Sequence, residues 1–345
     1  MEQKNKKKLT IWQWGFLLLL IVSSVWIIKS NNDGHVSRES RGRIFGTYYL
    51  VKYENKESLD SLILKELRKV DSSLSMFNKK STISRINRNE IDTVDALMAD
   101  VFTLSQKISE ATQGAFDVTV APLVNAWGFG FKNADSISTA KIDSILQFVG
   151  YEKVRLEDGK LIKSDERLMM DFSAIAKGYG VDAVARLFDR HGIENYMVEV
   201  GGEVVVKGKN PKQNPWTIGI VKPVENEGQV EQTHTLVQAQ DVAMATSGNY
   251  RRFYYKNGKR FAHTIDSHSG YPVQHSLLSA TVLAKDCATA DAYATAFMVM
   301  GLEKAQIFLK QHHELSAYLI YSGEKGELLT WASSGMEKYL NKQNQ

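Results

Sequence analysis

Asp291 and Thr295 lie four residues apart in SATVLAKDCATADAYATAFMVMG, residues 279–301, whose second half has a helical composition. On a helix this spacing puts two Cβ atoms about 5–6 Å apart on one face. A carboxylate and a hydroxyl facing the same way suit a hard cation such as Mg²⁺. That ion takes oxygen ligands at about 2.0–2.1 Å and borrows several from water or phosphate. The pair also fits an ordinary buried helix in which Asp291 caps or forms an ion pair. Ala288, Ala290, Ala292, Ala294 and Ala296 are small enough to let another backbone or a ligand come close.

Other chemistry-bearing stretches follow the same logic. In MDFSAIAKGYG, residues 170–180, a strand passes into a helix. Such a junction exposes unpaired N–H groups suited to an anion; Lys177 adds a cation, and Asp171 is a cap or a ligand contact. Gly178 and Gly180 inside a helical pattern each cost about 1 kcal/mol relative to Ala, which implies close approach. Gly114 to Leu123, followed by Trp127 to Gly130, combines Phe116, Asp117 and flexible backbone. That composition suits an aromatic heterocycle with polar edges, or a hydrophobic loop folded under the core. Gly201-Gly202 turns a strand back into Glu203. In FAHTIDSHSGYP, residues 261–272, His263 and Asp266 offer a base with an orienting carboxylate. Cys287, the only cysteine, reads as a small packed residue because no activating partner accompanies it.

The elements that position these groups are legible from periodicity. Ser58 to Ser73 and Asp92 to Thr112 are amphipathic helices; further helices are expected at 138–148, 174–191 and 302–312. Strands are expected at 47–53, around 154, at 161–163, 168–171, 196–200, 203–207, 215–221, 234–245, 250–265 and 277–284, with 115–132 a loop. Strands and helices interleave without strict βαβ alternation. The expected fold is therefore mixed α/β (α+β), with a largely antiparallel sheet and packed helices.

The net charge of +4 resides wholly in residues 1–30, where Lys4, Lys6, Lys7, Lys8 and Lys29 face Glu2. The remainder is neutral, so nothing in the bulk charge suggests nucleic acid. A basic head, 1–10, precedes the uncharged run Ile11–Ile28. Eighteen residues suffice for a short membrane span, and the lysines place its amino-terminal side in the cytoplasm. A cleaved signal peptide is the alternative, but no small-x-small cleavage site follows. The expected organisation is a transmembrane anchor over 11–28, a polar linker over 29–43, a catalytic domain over 44–335 and a polar tail over 336–345. The domain is expected on the extracytoplasmic, periplasmic side of the inner membrane.

In combination these stretches resemble the FAD:protein FMN transferase family, ApbE. The resemblance runs in order through Phe45-Gly46-Thr47, Ser75-Met76-Phe77 with Ser81 to Asn87, Gly114 to Gly130, Asp171 to Gly178, Gly201-Gly202-Glu203, Ala245 to Tyr250, His263 to Pro272 and Cys287 to Thr295. It departs in three places. Phe45 stands where many members have Met, Ser267-His268-Ser269 replaces Pro-x-Thr, and no lipoprotein Cys follows the apolar run.

The resemblance implies Mg²⁺-dependent transfer of FMN from FAD to a Ser or Thr hydroxyl, with release of AMP. It implies flavin and adenosine contacts at Phe45, Phe77, Ala115, Phe116, Asp117, Asp171, Lys177 and Ile265. It also implies a metal held by the Ala174 carbonyl, Asp291 and Thr295, catalytic roles for His263, Asp266 and Lys177, and acceptors among flavin-carrying subunits of ion-translocating electron-transport complexes. The same residues would serve an FAD pyrophosphatase giving FMN and AMP, or a membrane-tethered flavin-binding protein without catalysis.

Overall fold

The computed structural model describes residues 11–32, 36–129, 137–223, 232–249, 253–256, 259–262 and 264–340, without the side chains of 253–256, 259–262 and part of the first helix. Period-2 burial decides its layers. On β6 (Glu203–Lys207), Val205 packs with one apolar cluster while Val204 and Val206 pack with another. The same switch occurs between Ala243 and Met244 on β9 (Val242–Gly248), Val282 and Leu283 on β12 (Leu277–Ala284), and Leu319 and Ile320 on β13 (Ser316–Ser322). A sheet buried on both faces results, as in layered α/β folds.

The sheet has eight strands in the order β1 (Ser37–Ile44), β2 (Thr47–Glu54), β5 (Tyr196–Val200), β6, β9, β12, β13 and β14 (Leu328–Ala332). Every adjacent pair is antiparallel, as the pattern predicts. One face is covered by α2 (Asp60–Leu74), α4 (Ala96–Ala111), α7 (Ala176–Arg190) and α8 (Cys287–Met300). The other carries the ribbon of β7 (Trp216–Val221) and β8 (Thr233–Ala239). α8 is the central helix: Ala288, Ala290, Ala292, Ala294 and Ala296 are all buried, so β9, β12 and α7 pack directly against it.

Several boundaries differ from expectation. Residues 37–43, read as linker, belong to the edge strand β1, whose Arg38, Glu39, Arg41 and Arg43 give it the charged character of a protected edge. The expected strand 234–245 is two strands, broken at Asp241, which adopts φ 53°. The expected strand 250–265 is the hairpin β10 (Phe253–Lys256) and β11 (Lys259–Ala262). Leu168–Asp171 joins no sheet among the described residues. There the Asn87 side chain donates to the Met170 carbonyl and accepts from its N–H, both at 2.8 Å, as a neighbouring strand would. The loop 115–132 contains a short helix, α5 (Ala121–Ala126), and α3 (Thr82–Asn87) begins on a Ser81 cap.

α1 spans Ile11–Asn32, four residues beyond the apolar run, and the described side chains from Trp12 to Val22 are mostly exposed. Among the described residues no helix is long and apolar enough to cross a membrane; the side chains of Ile11, Gln13, Leu17 and 25–32 fall outside that description.

Candidate active site

The first turn of α7 meets the first turns of α8, and glycine makes the meeting possible. A Cβ on Gly178 would stand 2.3 Å from the Cys287 carbonyl oxygen, so no other residue fits without moving backbone. The Gly178 N–H donates to Asp291 Oδ2 at 3.1 Å. One turn on, Asp182 accepts from the N–H groups of Cys287 and Ala288, both at 2.8 Å. Those amides are among the unpaired donors at the start of α8, where negative charge is also favoured. Sequence reading missed Asp182; its one signal was a carboxylate inside the apolar run Gly180 to Ala185. Burial pushes its carboxyl up to about 7, against the pull of those two amides.

Lys177 precedes Gly178, and its ammonium reaches two carboxylates on different elements. It donates to Glu203 Oε1 at the start of β6 and lies 3.9 Å from Asp291 Oδ1 on α8. The Lys177 side chain keeps 32% of its exposure, whereas both carboxylates keep 3%. Two buried carboxylates thus share one ammonium. Burial raises the pKa of each above the usual carboxylate range, with Lys177 opposing. For Lys177 burial favours the neutral form, but Asp291 and Glu203 outweigh it and hold the amine protonated. Cys287 is fully buried beside this cluster, and burial followed by the carboxylates pushes its thiol up, which agrees with a packed, unreactive residue.

Thr295 shares the α8 face with Asp291, and its hydroxyl lies 3.0 Å from Ser247 Oγ on β9. Ser247 lies in the 245–250 stretch of the resemblance but is not among the expected site residues. Ala174 sits in the turn ahead of α7, and Asp171 Oδ1 accepts from the Ser173 N–H at 2.8 Å, so Asp171 caps that turn. Among the described residues no group of three or more His, Cys, Asp or Glu side chains could hold a metal ion. A cation at this place would depend on one carboxylate supplemented by hydroxyl and carbonyl oxygens.

Phe45 and Phe77 come together at a groove of about 400 Å³, lined also by Gly46, Asp71, Ser75 and Asn78. Phe45 and Gly46 form the two-residue turn between β1 and β2, with φ 52° and 73°. A non-glycine residue there is uncommon, and such conformations gather at functional sites. The Phe45 ring rests over Gly180, where a Cβ would come within 2.6 Å of it. Gly180 is three residues beyond Lys177, so α7 links the groove to the buried cluster. Phe77 is 73% exposed.

A third group spans the segment after α4 and residues 265–268. Phe116 is buried in the main core. Asp117 accepts from the Thr119 N–H and hydroxyl of its own loop at 2.7 Å and, across the chain, from the Tyr151 N–H at 3.0 Å. Ala115 precedes them, and the Asp171 N–H donates to Val118 O at 2.7 Å, which ties this loop to the α7 junction. Ile265 is buried with Leu123, Trp127 and Ile142. Ser267 Oγ donates to Gly114 O at 3.0 Å. Asp266 Oδ1 accepts from the His268 N–H at 3.0 Å and stands 3.4 Å from His268 Nδ1. Burial opposes ionisation of Asp266, but the His268 and Ser269 donors hold its pKa below the ordinary value. His263, the expected base, lies outside the described residues.

An aromatic-walled groove joined by one helix to a buried lysine–carboxylate cluster has the makings of a site for a planar, anionic ligand. The ApbE family model matches residues 45–319. The chain is 38% identical over 315 residues to an FAD:protein FMN transferase of Haemophilus influenzae, covering 86% of this chain and 90% of that one. It is 34% identical to the structure of the flavin transferase ApbE from Vibrio cholerae, with a TM-score of 0.79 over 89% of this chain and 100% of that one. The Pseudomonas stutzeri flavinyl transferase ApbE in its apo form is 28% identical, also at a TM-score of 0.79. The chain belongs to the ApbE family.

Proposed function

We propose that this chain is an FAD:protein FMN transferase that moves FMN from FAD to a Ser or Thr hydroxyl of an acceptor protein and releases AMP. The family match over residues 45–319 carries this reading. In the reaction the acceptor oxygen bonds to the FMN phosphorus as the bond from that phosphorus to the AMP oxygen breaks. The hydroxyl proton is taken up by a base, and AMP leaves. Phosphoryl transfer is largely positioning and charge neutralisation. The Lys177 ammonium and the amides at the start of α7 supply positive field for the pyrophosphate. Phe45 and Phe77 offer aromatic surface beside it. His263 is assigned as the base for the acceptor hydroxyl, with Asp266 as its orienting carboxylate.

Mg²⁺ belongs to the same reading, held by Asp291, Thr295 and the Ala174 carbonyl. The residues fit a cation: two buried carboxylates face one ammonium, and Asp291 Oδ1 accepts no hydrogen bond among the described residues. When bound, Mg²⁺ would polarise the pyrophosphate and stabilise the leaving phosphate.

The reading is tested by incubating the chain with FAD, Mg²⁺ and a flavin-carrying subunit of an ion-translocating electron-transport complex. The expected result is a mass gain on the acceptor equal to one FMN, with AMP released in equal amount. AMP and free FMN without acceptor modification would replace transfer by FAD hydrolysis.

The apolar run Ile11–Ile28 supports an uncleaved anchor in the inner membrane, with the catalytic domain on the extracytoplasmic side. The intact chain is expected in the membrane fraction with its first residues retained. Amino-terminal sequencing that begins near residue 25 or later would overturn the anchor.

A further inference from the structure

Glu203 is a buried carboxylate for which the reaction above has no use. It opens β6 directly after the turn Gly201-Gly202, whose φ values of 62° and 100° close the Val200–Glu203 pair in two residues. This type of turn strongly favours glycine. The strand holds Glu203 on the helix-facing side of the sheet, where its Oε1 accepts from Lys177 and its Oε2 is buried with no hydrogen-bond partner among the described residues. A carboxylate this buried is costly unless paired, so its placement demands Lys177.

Lys177 also has a competing partner. Asp291 Oδ2 is taken by the Gly178 N–H, and Oδ1, which accepts no hydrogen bond among the described residues, is the oxygen that faces the ammonium at 3.9 Å. A closure of about 1 Å would make that contact a hydrogen bond. An ammonium on Oδ1 would occupy the oxygen a metal ion needs and neutralise its charge. Glu203 offers the ammonium a direct bond on the other side.

We infer that Glu203 is a positioning residue that draws the Lys177 ammonium away from Asp291 and so keeps that carboxylate open to a divalent cation. The inference rests on the reading of Asp291 as a metal ligand. Without the Glu203 charge, the half-buried ammonium has Asp291 as its remaining carboxylate partner in the cluster, and every cation that binds must first displace it.

The test is Mn²⁺ binding to the full chain, read from the electron paramagnetic resonance signal of free Mn²⁺ in the absence of FAD. Glu203→Gln is expected to weaken binding about tenfold or more, the scale of one charge-assisted hydrogen bond that must be broken. Glu203→Gln combined with Lys177→Met is expected to recover wild-type affinity or better, a rescue that a structurally damaged site would not show. Asp291→Asn should bind at least as weakly as Glu203→Gln. Unchanged affinity in Glu203→Gln, with loss in Asp291→Asn, would overturn the inference and leave the metal reading standing. Weakening that Lys177→Met fails to rescue would also overturn it, because Glu203 would then act on the metal or the fold directly. Unchanged affinity in Asp291→Asn would remove the metal reading and this inference together. If Glu203→Gln does not fold, Lys177→Met alone decides: binding at least as tight as wild type supports the competition, and weaker binding ends it.

Discussion

Asp291→Asn is expected to fold normally and to lose FMN transfer by about a thousandfold or more. The amide retains an oxygen for the Gly178 N–H, which now bonds Asp291 Oδ2 at 3.1 Å. It also leaves Lys177 and Glu203 as a one-to-one ion pair in place of two carboxylates sharing one ammonium. Removing the surplus buried charge should leave thermal unfolding unchanged or shifted upward. The expected loss follows from the proposed role of Asp291 as a metal ligand. A Lewis acid on a phosphoryl oxygen is worth several kcal/mol, and each ~1.4 kcal/mol is tenfold in rate. Thr295→Val, which keeps the shape but removes the hydroxyl paired with Ser247, should do partial damage. The check is turnover against Mg²⁺ concentration, with unfolding measured alongside. Full activity of Asp291→Asn at low Mg²⁺ would show that the metal sits elsewhere.

His263→Ala is expected to bind FAD nearly as well as wild type and to lose transfer by about 10²- to 10⁴-fold, the usual worth of general-base assistance. A hydroxyl is a poor nucleophile near neutral pH, and this loop brings a histidine with a carboxylate three residues on. His268→Ala is expected to change little, although the structure makes it the informative control. Asp266 directs its Oδ1 toward the N–H and Nδ1 of His268, and His268 is 64% exposed. FAD binding by fluorescence and transfer by acceptor mass separate the outcomes. Loss of transfer in His268→Ala with near-normal His263→Ala would move the base to His268. Loss of FAD binding in His263→Ala would make it a ligand contact.

What the chain states locally, it states well. Apolar periodicity located α2 and α4, composition located α8, and alternation located β2, because helices and half-buried strands write their burial into adjacent residues. The glycines at 178 and 180 announced close approach, since their cost within a helix needs a reason. Ordered motifs from Phe45 to Thr295 carried the family and, with it, the reaction. Elements whose patterns come from their neighbours were not legible. β1 is charged because it is an edge, and Leu168–Asp171 reads as a strand although its strand-like partner is the side chain of Asn87.

The site divides along the same line. That Asp291 and Thr295 share a face follows from helical geometry alone. Nothing local could say that Lys177 lies between Asp291 and Glu203, that Asp182 holds the start of α8, or that Ser247 meets Thr295. Those residues are separated by tens of positions in the chain: the Lys177 and Asp182 pairings need Gly178 to let α7 settle against α8, and the Ser247–Thr295 pairing comes from α8 lying on β9. Residue types announce which chemistry is available. Which charge neutralises which is decided by long-range packing, since buried groups interact through space with whatever the fold puts beside them.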